Sequence, residues 1–344
     1  MSLNYPSEAR MKQRRLGKNG TMVSAIGIGA MSFSNFYGET NESESHRLMS
    51  TALDQGVTHI DTANVYGGGV SETVIGTFLA KQGARRNDLF SIASKVGIAK
   101  DPETGKRYFD NSPAYLIAEL DKTLARLQLD SIDLYYIHRR DAQTSIEDVT
   151  ETLVELVKSG KIKSFGFSEI APASLRRADA IHHVAAVQSE YSLSVRSPEM
   201  GLVQTTKELG TALVAFSPVG RSLLTDNPLT LDAISGMEWL RQNPRFIEPN
   251  YSANIKAGIN FRNLAADMGL SAAGLAIAWL IHKGEHIIPI PGTRSVAHFL
   301  ELCEGANVSL SDTDMRIIED TLPIGWAHGD RYSTQQWVGP EIYC

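Results

Sequence analysis

Cysteine is nearly absent. Cys303 and Cys344 are the only two in 344 residues, and they show neither metal-site nor redox-pair spacing. A chain this sparing of cysteine holds its core without disulfides, which suits a reducing, cytoplasmic setting. Long apolar runs are missing as well. The most apolar stretch, 272–281, is too short to span a bilayer, and the N-terminus carries no apolar signal core, so no membrane role is expected. Positive charge is not in excess: a net charge of −6 argues against a general nucleic-acid or membrane-surface binder and leaves room for one local phosphate pocket. Glycine-rich phosphate motifs are also lacking. No G-x-G-x-x-G follows a predicted strand, Gly105-Lys106 lacks the Ser or Thr of a P-loop, and Gly166-Phe167-Ser168 lacks the last glycine of a nucleophile elbow.

What is present is ordinary for a globular protein, with 42% hydrophobic and 21% charged residues, and no feature marks a particular oligomeric state. The organising stretch is Val57 to Gly76. An apolar run ending at Asp61 reads as a short buried strand, a loop through Tyr66 and Gly67 to Gly69 follows, and Ser71 onward has the spacing of a helix face. Around it, a hairpin is expected between Arg14 and Ile28 across the Gly17-Lys18-Asn19-Gly20 turn, with 25–29 also able to supply a strand. Strands at 57–61, 89–95, 132–137, 162–167, 184–188, 211–216 and 287–290 alternate with helices near 43–55, 71–80, 112–127, 145–158, 172–179, 197–208, 251–268 and 271–283. Runs such as Leu134 to Ile137 are apolar without alternation, as strands buried on both faces must be. The expected fold is therefore α/β, a closed (β/α)8 TIM barrel with an N-terminal β-hairpin. No linker interrupts the rhythm, so a single domain over 14–325 is expected, with a tail at 326–344 that would lie over the active site. Two further insertions, 97–111 and 217–250, are long enough to be functional.

Polar groups fall on the strand ends: Asp61 after strand two, Lys95 after strand three, His138 after strand four, with Tyr66 just beyond Asp61. Singly, each has a plain alternative. Asp61 suits a turn cap, Tyr66 a loop aromatic, Lys95 a solvated strand end, and His138 a member of the basic cluster with Arg139 and Arg140. Together they converge on one rim. A phenol titrates near pH ~10, so it donates a proton poorly at neutral pH unless a nearby cation stabilises the phenolate. Lys95 is placed to supply that cation and Asp61 to orient it, while His138 would hold a carbonyl oxygen or share the proton. The group suits reduction of a carbonyl, and since side chains carry no hydride, a nicotinamide cofactor is implied.

The motifs that carry these residues resemble those of the aldo-keto reductase family: Asp61-Thr62-Ala63 to Tyr66-Gly67, Ser94-Lys95, Asp133 to Arg139, Val187 to Tyr191, Ser217 to Arg221, and Ile288 to Arg294. They stand in the family's order along most of the chain. The resemblance implies a catalytic tetrad of Tyr66, Lys95, Asp61 and His138 and an extended NADP(H) bound without a Rossmann fold, with NAD(H) the poorer fit. By the same resemblance Ser168 and Gln188 bond the carboxamide, Phe216 stacks on the nicotinamide, and Ser217, Pro218, Val219, Gly220 and Arg221 hold the pyrophosphate through backbone amides. Arg294 meets the 2′-phosphate, and Met31, Asp61, Gly292, Thr293, His298 and Glu301 complete the cofactor set. Three positions depart from the pattern: Glu169 stands where asparagine is usual, His298 where a longer basic side chain is common, and Leu302 where an asparagine often contacts adenine.

The expectation is an NADP(H)-dependent reductase of small aldehydes or ketones with Tyr66 as general acid, its pKa lowered by Lys95. Two alternatives stand beside it. One is a dehydrogenase oxidising a sugar or pyridoxine-like alcohol with the same residues, and the other a cofactor-binding regulatory subunit with little turnover. Trp326, Tyr332, Trp337 and Tyr343 are candidates for an apolar wall over the site.

Overall fold

The computed structural model describes residues 11–101, 103–342 and 344, so the first ten residues and Tyr343 of the expected aromatic wall lie outside the described residues. A hairpin of β1 (Gln13–Arg15) and β2 (Met22–Ser24) comes first. The barrel strands begin with β3 (Ile28–Gly29), β4 (His59–Asp61) and β5 (Ser91–Val96). A second hairpin, β6 (Ile98–Lys100) with β7 (Arg107–Phe109), fills the insertion expected as a loop at 97–111. Then follow β8 (Ile132–Ile137), β9 (Ile162–Ser168), β10 (Ala186–Glu190), β11 (Ala212–Phe216) and β12 (Ile287–Pro289).

The eight barrel strands are parallel and pair in the order β12-β11-β10-β9-β8-β5-β4-β3. Backbone bonds from Gly27 N to Pro289 O (2.8 Å) and from Gly29 N to Pro291 O (2.9 Å) join the first strand to the last. A side chain is barred at that seam. A Cβ on Gly29 would lie 2.6 Å from the Ile290 carbonyl oxygen, so only glycine lets the strands approach. Leu16 and Val23 of the hairpin pack with Ala93, Leu134, Tyr136, Val214 and Ile288, closing the barrel's floor with apolar side chains. Polar groups are thereby concentrated at the opposite, C-terminal rim.

The helices wrap the sheet: α1 (Glu42–Asp54), α2 (Val70–Ala80), α3 (Pro113–Leu127), α4 (Ile146–Lys158), α5 (Pro172–Asp179), α6 (Leu202–Leu209), α7 (Leu231–Ser235), α8 (Asn250–Ala257) and α9 (Ile259–Asp267). They end with α10 (Ala272–His282), α11 (Val296–Asn307) and α12 (Asp312–Thr321). Side chains of Asn41, Ser112, Ser145, Ser271 and Ser295 accept a backbone N–H at their helix starts, which fixes where these helices begin. Two expected helices are broken by glycine. Gly201, at φ 150°, separates a 3-10 turn at Ser197–Met200 from α6, and Gly258 separates α8 from α9. The apolar stretch 272–281 is α10, buried on all sides; among the described residues no single helix is long and apolar enough to cross a membrane.

Candidate active site

Asp61 closes β4, and its register partner on β5 is Ala93, two residues before Lys95, so the two side chains point the same way from neighbouring strands. Lys95 is fully buried. Its ammonium donates to Asp61 Oδ1 in a tight contact, to the Thr62 carbonyl at 2.8 Å and to the Tyr66 hydroxyl at 3.1 Å. Gln188, on β10, donates to the other oxygen of Asp61 at 2.7 Å. Both carboxylate oxygens are thus engaged within the protein, and Asp61 does not cap the following turn.

Tyr66 opens a 3-10 turn in which Gly67, Gly68 and Gly69 all have positive φ (62°, 64° and 99°). Three left-handed residues in a row reverse the chain quickly enough to return the phenol to the rim, and non-glycine residues resist that conformation. The turn is clamped from below. Glu72, buried in the first turn of α2, accepts from Ser94 and from Arg126 Nε at 2.6 Å, while the Arg126 side chain packs under Gly69. Ser71 donates to the Ala30 carbonyl at 2.7 Å and accepts from Thr62 at 2.8 Å, tying the loop after β3 to the same support.

His138 follows β8 and stands edge-on to Tyr66, with ring centroids 5.8 Å apart. Its Nδ1 is buried without a partner among the described residues. Burial first, then the cations of Arg139, Lys95 and Arg107, holds its pKa well below 6.5, so the ring is neutral. Lys95 behaves oppositely: burial works against its charge, but Asp61 and Tyr66 raise its pKa, and it remains an ammonium. For Tyr66 the outcome corrects the expectation from sequence. Burial moves the phenol above its ordinary 10, and Lys95, the largest opposing influence, only moderates that rise. The hydroxyl therefore keeps its proton at neutral pH and stays ready to donate it.

The other expected residues are distributed around the same rim. Ser168 ends β9 and its hydroxyl accepts from Arg139 Nη1 at 3.1 Å. Phe216 ends β11 and packs on the barrel's inner apolar column. Beyond it, Ser217, Gly220, Arg221 and Ser222 adopt positive φ (51°, 59°, 53° and 86°), a curled backbone of the kind that presents successive amides to an anion. Pro218 is buried and Val219 half-buried in that curl. Gly292 packs against the Gly29 carbonyl, and Ser32 binds the Thr293 carbonyl at 3.0 Å, holding the last loop to the first. Met31 lies in the adjoining 3-10 turn. Arg294 is exposed, with one guanidinium nitrogen on the Glu39 carbonyl, beside the N-terminus of α11; His298 and Glu301 lie on that helix. A guanidinium next to a helix N-terminus suits a phosphate. The residues present therefore fit an extended nicotinamide dinucleotide: a curl of amides, a cation at the far end, and Ser168 and Gln188 near Lys95.

Arg221 takes a second part that sequence reading missed. Its guanidinium turns inward to Glu190 at 2.7 Å and lies 4.4 Å from the centre of the Trp239 ring. Beside it the tail inserts Arg331, which pairs with Glu169 at 2.8 Å and Glu190 at 3.5 Å. Burial opposes ionisation of Glu169, yet Arg331 and then Arg139 hold its carboxyl below the usual range. The departure at position 169 thus has a structural partner: a glutamate there receives the tail's arginine. Arg139, Tyr37 and Trp239 are further rim residues not singled out from sequence. Arg139 carried a signal, since it adjoins His138 in the strand-four motif, and its guanidinium bonds the His138 carbonyl at 2.6 Å.

The tail lies over this rim. Gly339 packs on Phe109 and Arg139, Glu341 pairs with Arg140 at 2.8 Å, and Tyr332 stands edge-on to Trp239 and Trp337 at 6.0 and 5.3 Å. Trp326 instead enters the core and donates to the Leu193 carbonyl at 2.9 Å.

Comparison with known proteins agrees with this architecture. A family model described as "Aldo/keto reductase family" matches residues 25–322. The chain is 35% identical over 322 residues to aldo-keto reductase yakc of Schizosaccharomyces pombe, whose name includes NADP(+), covering 93% of this chain and 94% of that one. It is 35% identical over 327 residues to probable aldo-keto reductase 1 of Glycine max, covering 95% and 93%. Among solved structures, a glycerol dehydrogenase of Gluconobacter oxydans superposes with a TM-score of 0.78 at 26% identity, over 90% of this chain and 94% of that chain. On the strength of the family model and these relatives, the chain belongs to the aldo/keto reductase family, whose members are oxidoreductases.

Proposed function

We propose that the chain is an NADP(H)-dependent reductase of aldehydes or ketones in which Tyr66 is the general acid. The observation that carries this reading is the buried ammonium of Lys95, held by Asp61 and set 3.1 Å from the Tyr66 hydroxyl beside a neutral His138. When bound, the reduced nicotinamide supplies a hydride to the carbonyl carbon. Ser168 and the amide oxygen of Gln188 would hold its carboxamide, the curl from Ser217 to Arg221 its pyrophosphate, and Arg294 with the start of α11 its 2′-phosphate.

The chain's own part is to place and protonate. Tyr66 donates a hydrogen bond to the carbonyl oxygen and passes its proton to that oxygen as negative charge builds there. Lys95, which cannot leave its site at the Asp61 carboxylate, then stabilises the phenolate left behind. Neutral His138 is an uncharged neighbour of the same oxygen and adds no competing acid. Positioned proton transfer of this kind contributes roughly 10²- to 10⁴-fold to a rate. A second reading, oxidation of an alcohol by the same groups in reverse, is favoured by the likeness to the glycerol dehydrogenase of Gluconobacter oxydans.

The test is NADPH consumption across a panel of aldehydes and ketones, with NADP-dependent oxidation of the matching alcohols. Reduction faster than oxidation at neutral pH supports the proposal. Oxidation alone would replace it with the second reading, and tight NADPH binding without turnover of any substrate would overturn both.

A further inference from the structure

A cavity of about 430 Å³ opens at the rim, within the size range of small-molecule sites. Its walls include Phe36 and Tyr37 from the loop after β3, Arg107 from β7, Glu238 and Trp239 from the insertion after β11, and Gln335 from the tail. Tyr37 links it to the tetrad. Burial pushes the Tyr37 phenol up to about 12, with Arg221 opposing and Tyr66 and Glu190 adding, and the Trp239 ring of the same wall is centred 4.4 Å from the Arg221 guanidinium.

Arg107 differs from the other arginines of this rim. Arg139 is tied to the His138 carbonyl and Ser168, Arg140 to Glu341, Arg221 to Glu190 and Arg331 to Glu169. Among the described residues the Arg107 guanidinium has no carboxylate within ion-pairing distance and no hydrogen bond; it rests 5.5 Å from the centre of the Phe109 ring. Its field reaches the chemistry, since it is one of the cations that depress His138. Arg107 is an exposed residue whose partly desolvated guanidinium has its pKa lowered by that partial burial and then by the like charge of Arg139, with Tyr332 opposing. Glu238 is the one acid in the lining and is also without an ion pair among the described residues.

We propose that Arg107 receives an oxyanion of the substrate, so that the carbonyl compounds this site takes best carry a carboxylate or phosphate, their apolar part against Phe36 and Trp239. A planar guanidinium matches either group with two parallel hydrogen bonds. The proposal rests on the carbonyl-reductase reading and adds the substrate class.

The experiment compares matched pairs with wild type, Arg107→Gln, Arg107→Lys and Glu238→Gln: 4-carboxybenzaldehyde with benzaldehyde, and glyceraldehyde 3-phosphate with glyceraldehyde. Wild type is expected to favour the anionic member of at least one pair, and which pair identifies carboxylate or phosphate. Arg107→Gln is expected to reduce that preference roughly 10- to 100-fold, mainly through KM, the range for losing a charge-assisted hydrogen bond. Arg107→Lys should keep part of it, and Glu238→Gln should enlarge it a few-fold. Equal kcat/KM for both members of both pairs, or a preference that survives Arg107→Gln, overturns the proposal. If no carbonyl is turned over, the reductase reading fails and the binding arm decides. Titration calorimetry should then show 4-(hydroxymethyl)benzoate binding more tightly than benzyl alcohol to wild type but not to Arg107→Gln; equal affinities would reject an anion site.

Discussion

Replacing Lys95 with methionine removes the ammonium and leaves the Asp61 carboxylate, 2% exposed, with Gln188 as its remaining side-chain partner at 2.7 Å. Deleting one member of a buried ion pair costs about 3–5 kcal/mol, because the charge left behind loses its counter-charge and has no access to water. Against a total stability of about 5–15 kcal/mol for a typical domain, that is a large fraction. The double variant Asp61→Asn/Lys95→Met removes both charges and is expected to recover part of the loss, with a coupling energy of about 1–3 kcal/mol. Urea denaturation of wild type, both single variants and the double variant measures each quantity. A Lys95→Met cost below about 1 kcal/mol, or single-variant costs that simply add, would refute the buried-pair argument. The same variant has a kinetic signature. Lys95 is the largest influence holding the Tyr66 phenol down, so its removal moves that phenol further up and weakens it as an acid. The expected fall in kcat is roughly 10²- to 10⁴-fold, with NADPH affinity changed only a few-fold.

Three further outcomes follow from other parts of the molecule. His138 titrates well below 6.5 when folded, so the unfolded chain takes up a proton that the folded chain refuses, and stability present above 6.5 is lost as pH falls toward the folded value. His138→Gln should flatten denaturation free energy plotted against pH by up to about 1.4 kcal/mol per unit on that acid side; an unchanged slope would contradict the neutral assignment. Gly29→Ala forces a Cβ to 2.6 Å from the Ile290 carbonyl at the barrel seam and should lower stability by about 1–3 kcal/mol, whereas Gly236→Ala, whose Cβ meets nothing nearer than 3.6 Å, should be close to neutral by thermal melting. Arg331→Met strands Glu169 in the interior, while Glu190 keeps Arg221 at 2.7 Å, and should cost about 3–5 kcal/mol and speed limited proteolysis of the tail; adding Glu169→Gln should restore part of both, and no restoration would count against the pairing.

The strand ends were the legible part of this chain. Asp61, Lys95 and His138 each end an apolar run or follow it directly, and a parallel barrel sends all such ends to one rim, so their meeting needed only the alternation of strands and helices. The Tyr66 turn was legible in its three glycines. The direction of the Tyr66 shift was not, because neighbouring charges can be read from motifs whereas burial, the larger influence here, appears only when the rim is assembled. The pairing of Glu169 with Arg331 joins residues 162 positions apart, and no local pattern announces it. Arg221 was expected to serve through its backbone; the inward turn of its side chain depends on Glu190 and Trp239, which neither periodicity nor spacing brings together. The hairpin of β6 and β7 was hidden by the shortness of its strands, three residues each, separated by a polar turn, and with it the placement of Arg107 at the cavity.

The most direct measurement is turnover and NADPH binding by Tyr66→Phe, a change that removes one oxygen and leaves the ring that faces His138. The account predicts that carbonyl reduction falls to background while NADPH binds with the affinity of wild type. Reduction retained within ten-fold of wild type would show that the proton comes from elsewhere and would contradict it.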